Sequence, residues 1–128
     1  MNYKRKDHPT ESELEILQVL WQDGESSVRQ VNEILNKKRE VGYTTTLKIM
    51  QIMTEKGLVT RDTNSRTHIY FAAVKEKDTQ KSLLESFIDK TYRGSAMRMV
   101  MQALGNQDAS ADELESLKKI ISDLENKK

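Results

Sequence analysis

The apolar spacing of the chain switches period at Gly57, and that switch limits its possible folds more than any other feature. Ahead of Gly57, three short stretches repeat apolar residues every three or four positions, the period of an amphipathic helix. Behind it, Leu58-Val59-Thr60-Arg61 reads as a strand and residues 62–65 as a turn. Residues 66–72 read as a second strand, with Ile69 and Phe71 alternating against Tyr70. Three short helices followed by a two-stranded hairpin form the layout of a winged helix.

The helix boundaries are marked locally. Thr10-Glu11-Ser12-Glu13 is a capping box, in which each end side chain satisfies an exposed amide of the first turn. Leu14, Ile16, Leu17, Leu20 and Trp21 follow at helical spacing, and Asp23-Gly24 stops the helix. Ser26 or Ser27 can cap a second helix, whose stripe is Val28, Val31, Ile34 and Leu35. Residues 36–42 are a polar, basic connection. A third helix fits residues 44–56, with Thr46, Ile49, Met50 and Met53 on one face.

Beyond Lys75 the helical period returns. Leu83, Leu84, Phe87 and Ile88 make a narrow stripe that ends near Gly94. A Met-rich helix follows (Met97, Met99, Val100, Met101, Leu104), closed by Gly105. The last helix opens on a second capping box, Ser110 to Glu113. It continues through Leu114, Leu117, Ile121 and Leu124, the spacing of a coiled-coil seam. The expected architecture is therefore mainly α. A winged helix-turn-helix domain spans residues 1–73, and a three-helix dimerisation region spans 74–128.

Composition supports assembly and argues against catalysis. Charged residues make up 32% of the 128, aromatics 5%, and mean hydropathy is −0.73, so any core is modest and aliphatic. Short polar chains commonly gain apolar burial by oligomerising. Leu83, Leu84, Phe87, Ile88, Leu117, Ile121 and Leu124 are the expected homodimer contacts. Without cysteine there is no disulfide, thiolate metal site or thiol nucleophile. His8 and His68 share no metal-ligand spacing, and no phosphate-binding glycine loop or nucleophile motif occurs. The residues imply no catalytic site, metal or cofactor. No run approaches the roughly 20 apolar residues of a membrane span, and no signal peptide opens the chain, so the expected location is cytoplasmic.

A net charge of +1 conceals an uneven distribution. Residues 37–66 hold seven basic side chains against three acidic ones, and Lys4, Arg5 and Lys6 lie near the start. After Ala73, ten basic residues balance ten acidic ones. On charge alone an ordinary mixed-charge surface is the favoured reading, so the third helix carries the argument for a nucleic-acid face.

A helix entering the major groove reads bases near its amino end. Tyr43, Thr44 and Thr45 put hydroxyls there, and Thr44 can equally cap the helix. Lys48 and Gln51 lie off the buried face; lysine suits guanine or phosphate, and glutamine suits adenine. Leu47 can meet a thymine methyl or pack on the first helix, and packing is the expectation. Arg66, in the tight turn Asn64-Ser65-Arg66, can meet phosphate or a narrow minor groove through its planar fork. An exposed hairpin arginine is the alternative. The Met-rich helix has no cysteine or histidine beside it and reads as adaptable packing.

Several segments together resemble the penicillinase and methicillin-resistance repressors, with which copper-transport repressors are also grouped. They are residues 10–17 with Trp21, Tyr43-Thr44-Thr45, residues 53–59, residues 66–71, Tyr92-Arg93-Gly94-Ser95 and residues 114–120. The resemblance implies a homodimer that binds palindromic double-stranded operator DNA and represses nearby genes, among them antibiotic-resistance genes. It further implies a membrane sensor metallopeptidase that answers β-lactam, and inactivation by cleavage in the helix after the Gly-Ser element. Aligned on that element, the scissile pair is Gln102-Ala103, where the family has asparagine and phenylalanine. The cysteine pairs of the copper branch are absent, which excludes copper sensing of that kind. Two other readings share the fold: a protein-interaction adaptor that binds no DNA, and a repressor with a small-molecule effector pocket.

Overall fold

The computed structural model describes residues 8–64, 66–106 and 110–126. The basic start (Lys4, Arg5, Lys6) and the turn residue Ser65 lie outside the described residues. The chain forms two compact units, Met1–Leu84 and Glu85–Lys128.

The first unit is a winged helix. Helix α1 (Glu11–Asp23) leads to a two-residue strand β1 (Ser26–Ser27), then α2 (Val28–Leu35) and α3 (Tyr43–Lys56). Strands β2 (Val59–Asp62) and β3 (Ile69–Ala72) follow, in an antiparallel sheet of order β1-β3-β2. Both expected caps at the start are present. Glu13 N–H donates to Thr10 Oγ1 and Thr10 N–H to Glu13 Oε1. Ser27 and Gln30 make the same reciprocal pair at the start of α2. Gly57 closes α3 in the left-handed conformation, φ 83°, which a side chain would strain.

One aliphatic core unites these elements. Ile16, Leu17 and Leu20 of α1 meet Val31 and Leu35 of α2, Met50 and Met53 of α3, and Leu58, Val59 and Tyr70 of the hairpin. Leu47 packs against this cluster, as expected of it. Val41 joins the core as well, although its segment reads as a polar connection.

The hairpin departs from the sequence reading in three ways. Strand β3 begins at Ile69 rather than at residue 66, so the wing loop, which joins Asp62 to Ile69, is longer than read. Strand β2 runs one residue further than read, to Asp62, where an Asx turn follows: Asn64 N–H donates to Asp62 Oδ1 at 2.9 Å. Tyr70 points into the core while Phe71 is exposed, so the alternation is real and the large aromatic takes the inner face. Finally, β1 pairs Ser26 with Tyr70 and Ser27 with Ile69. Two residues are too few to leave a periodic signal in sequence.

The first unit extends past Ala73. Trp21 Nε1–H donates to the Val74 carbonyl at 3.0 Å, His8 Nε2 hydrogen-bonds Ser82 Oγ at 2.5 Å, and Thr79 is buried. These contacts tie the start of α4 (Glu76–Tyr92) to the winged helix.

In the second unit, α4 ends on left-handed Arg93 and Gly94 (φ 52° and 84°), with Gly94 N–H donating to the Ile88 carbonyl. Helix α5 (Ala96–Asn106) is capped by Ser95, whose Oγ accepts from Arg98 N–H. Gly105 lies inside α5 rather than closing it, a placement a helix tolerates near its end at about 1 kcal/mol. Helix α6 (Ala111–Asn126) opens on the expected Ser110–Glu113 box. The Ser110 amide and hydroxyl hold the Glu113 carboxyl below its ordinary range.

Candidate nucleic-acid interface

The placement of α3 rests on a polar network at the α2–α3 corner. Asn32 Nδ2 donates to the Val41 carbonyl at 3.0 Å and to Thr46 Oγ1 at 2.8 Å. Asn36 Nδ2 donates to the same Val41 carbonyl at 2.9 Å, and Val41 N–H returns a bond to Asn36 Oδ1. Thr46 is 0% exposed. These bonds satisfy the buried backbone of the corner and fix how α3 leaves it.

With Thr46, Met50 and Met53 turned inward, the opposite face of α3 carries Thr44, Thr45, Lys48 and Gln51, all exposed. Thr44 does not cap the helix. The N-cap is Gly42, and no side chain bonds the first-turn amides. Those amides lie at the positive end of the helix, where Thr44 and Thr45 are exposed. Tyr43, at the first helical position, is 49% exposed. Ile52, also partly exposed, lies along the same face.

Arg66 is exposed in the wing loop and shares an open cleft with Tyr43 and Leu47 of α3, Arg29 of α2, and His68. Thr44, Thr45, Lys48 and Gln51 are outside its lining. Sequence reasoning missed Arg29 and His68. Arg29 sits in the second helix, which was read only for its apolar stripe, and the fold alone brings it to the wing.

The basic excess of residues 37–66 is also smaller than its sum. Arg39 is bound to Glu15 of α1, which raises the guanidinium above its ordinary value. Lys56 Nζ lies 2.8 Å from Glu13 Oε2, a buried carboxylate that also serves the first cap. Among the described residues, Arg29, Lys48 and Arg66 have no such ion pair.

The expected dimer contacts lie partly open on the single chain. Leu84, Phe87, Ile121 and Leu124 are exposed, whereas Leu83, Ile88 and Leu117 are half-buried. Phe87 meets Tyr92 edge to face at 5.9 Å. Gln102 and Ala103 are exposed and helical within α5. No helix among the described residues is long and apolar enough to cross a membrane.

Comparison with known proteins gives concordant matches. A family model described as penicillinase repressor matches residues 9–123. The methicillin resistance regulatory protein MecI of Mammaliicoccus sciuri is 24% identical over 111 residues, covering 87% of this chain and 90% of that protein. The penicillinase repressor of Bacillus licheniformis is 24% identical over 119 residues, 93% of each chain. A mutant MarR from E. coli, solved in complex with operator DNA, aligns with a TM-score of 0.49 at 12% identity, over 95% of this chain and 79% of that one. With nearly its whole length matched by the family model, this chain belongs to the penicillinase repressor family.

Proposed function

We propose that this chain is a homodimeric transcriptional repressor that binds palindromic operator duplexes through the exposed face of α3 and the wing. The observation that carries the reading is the uncapped leading turn of α3. It presents Thr44, Thr45, Lys48 and Gln51 outward, on a helix whose other face is locked into the core. Gln51 and Lys48 reach base edges, the threonines and free amides meet phosphate or bases, and Arg66 holds the backbone. Dimerisation through the stripes of α4 and α6 covers their exposed apolar residues and sets the half-site spacing.

Cleavage in α5 at Gln102-Ala103, in answer to a membrane sensor metallopeptidase, is the proposed route of derepression. Separated heads lose the avidity that pairing provides.

The deciding experiment selects binding sites from a random duplex pool and measures affinity across a salt series. An enriched palindrome, bound with a steep salt dependence, is the expected result. Absence of duplex binding at low salt would overturn the reading in favour of an adaptor.

A further inference from the structure

The cleft between α2, α3 and the wing loop gathers two arginines and a histidine from two separate parts of the fold. Arg29 comes from the first turn of α2, and Arg66 and His68 from the wing loop, His68 directly before β3. Among the described residues, no carboxylate lines the cleft. Neither arginine is ion-paired among the described residues, although Arg39 and Lys56 of the same unit are both bound to carboxylates of α1. Two guanidinium groups facing one concavity repel each other until an anion enters.

We propose that this cleft is the seat of one phosphodiester group of the duplex, held by Arg29, Arg66 and His68. The inference rests on the DNA-binding reading above. A guanidinium fork matches two phosphate oxygens, and two forks with an imidazole N–H supply enough donors to surround one phosphate. Tyr43, Leu47 and Tyr70 line the cleft beside them. The cleft adjoins the leading turn of α3, so a strand whose bases meet Gln51 and Lys48 passes its backbone there.

The test uses the full chain and two duplexes, a selected site and a scrambled one, in a salt series. Arg29→Ala is expected to weaken both duplexes by the same factor and to flatten the salt slope by about one unit. His68→Ala should weaken both duplexes alike as well. Unchanged melting temperatures show that the variants fold. Parent-like duplex binding by either variant overturns the seat while leaving the DNA-binding reading intact. Failure of the parent protein to bind any duplex defeats both. Inorganic phosphate distinguishes the remaining source. If millimolar phosphate shifts the Arg29 and His68 resonances of the free protein while Arg29→Ala leaves duplex affinity unchanged, the cleft serves a free anion and the proposal fails.

Discussion

Asn32 Nδ2 lies 2.8 Å from Thr46 Oγ1, and this bond joins the helix before the corner to the buried face of the helix after it. Replacing Thr46 by valine keeps the shape and removes the acceptor, leaving a part-buried amide hydrogen unsatisfied. The expected loss is about 1–3 kcal/mol in unfolding free energy. Duplex affinity should fall further than stability predicts, because α3 loses its fixed exit angle. Urea midpoints and anisotropy on the same samples separate the two effects.

The two cations most easily taken for DNA contacts have different work. Lys56→Ala strands the buried Glu13 carboxylate, so it should lower the melting temperature and leave the salt slope of duplex binding unchanged. Lys48→Ala should do the reverse. A Lys56→Ala protein as stable as its parent would show that the 2.8 Å pair contributes nothing.

Base reading and backbone holding should also separate. Gln51→Ala is expected to change preference at one base pair of the selected site, at a cost of about 1–3 kcal/mol for a bidentate contact. Arg66→Ala should weaken all sequences alike. If Gln51→Ala leaves the selected consensus unaltered, the outward face of α3 has been given the wrong role.

Sedimentation should give a species near twice 14.8 kDa. Ile121→Glu places a charge among exposed apolar positions of α6 and should shift that species toward the monomer. A truncation meant to isolate the head should end after Leu84. Ending it after Ala73 discards the carbonyl that accepts from Trp21 and the hydroxyl that meets His8.

The first turn of α6 should respond to acid. Glu113 titrates below the ordinary carboxylate range because the Ser110 amide and hydroxyl bind its charged form. The folded value is depressed, so the stabilisation is present above the ordinary carboxylate value and is lost as pH falls through the lowered one. Ser110→Ala should raise the Glu113 midpoint toward that ordinary value, read from its side-chain carboxyl resonance. The variant keeps the Ser110 amide, so the rise should be partial, and an unmoved midpoint would remove the hydroxyl as a cause.

Much of this fold is legible in sequence because its signals are local. The boxes at Thr10 and Ser110 need only four consecutive residues, and the stripes of α1, α2 and α3 need only a period. The places where the reading departs depend on contacts distant in the chain. Tyr70 turns inward because the core of α1 and α3 has room for it, which no alternation in a four-residue strand reveals. Strand β1 exists only because β3 returns beside Ser26 and Ser27. At the candidate interface, the outward placement of Lys48, Gln51 and Arg66 is readable from type and position. The meeting of Arg29 with Arg66 and His68 is not, since it is a property of the closed hairpin.

Ser27 belongs to two structures at once: its backbone pairs with Ile69 in the sheet, and its hydroxyl accepts from Gln30 N–H at the start of α2. Mechanically, the root of the wing and the root of the helix-turn-helix are one joint. A swing of the hairpin about that root would pull α2, and through Asn32 the buried face of α3, along with it. Variation among relatives in the connection between β2 and β3 is therefore expected to spare the residues that make this joint.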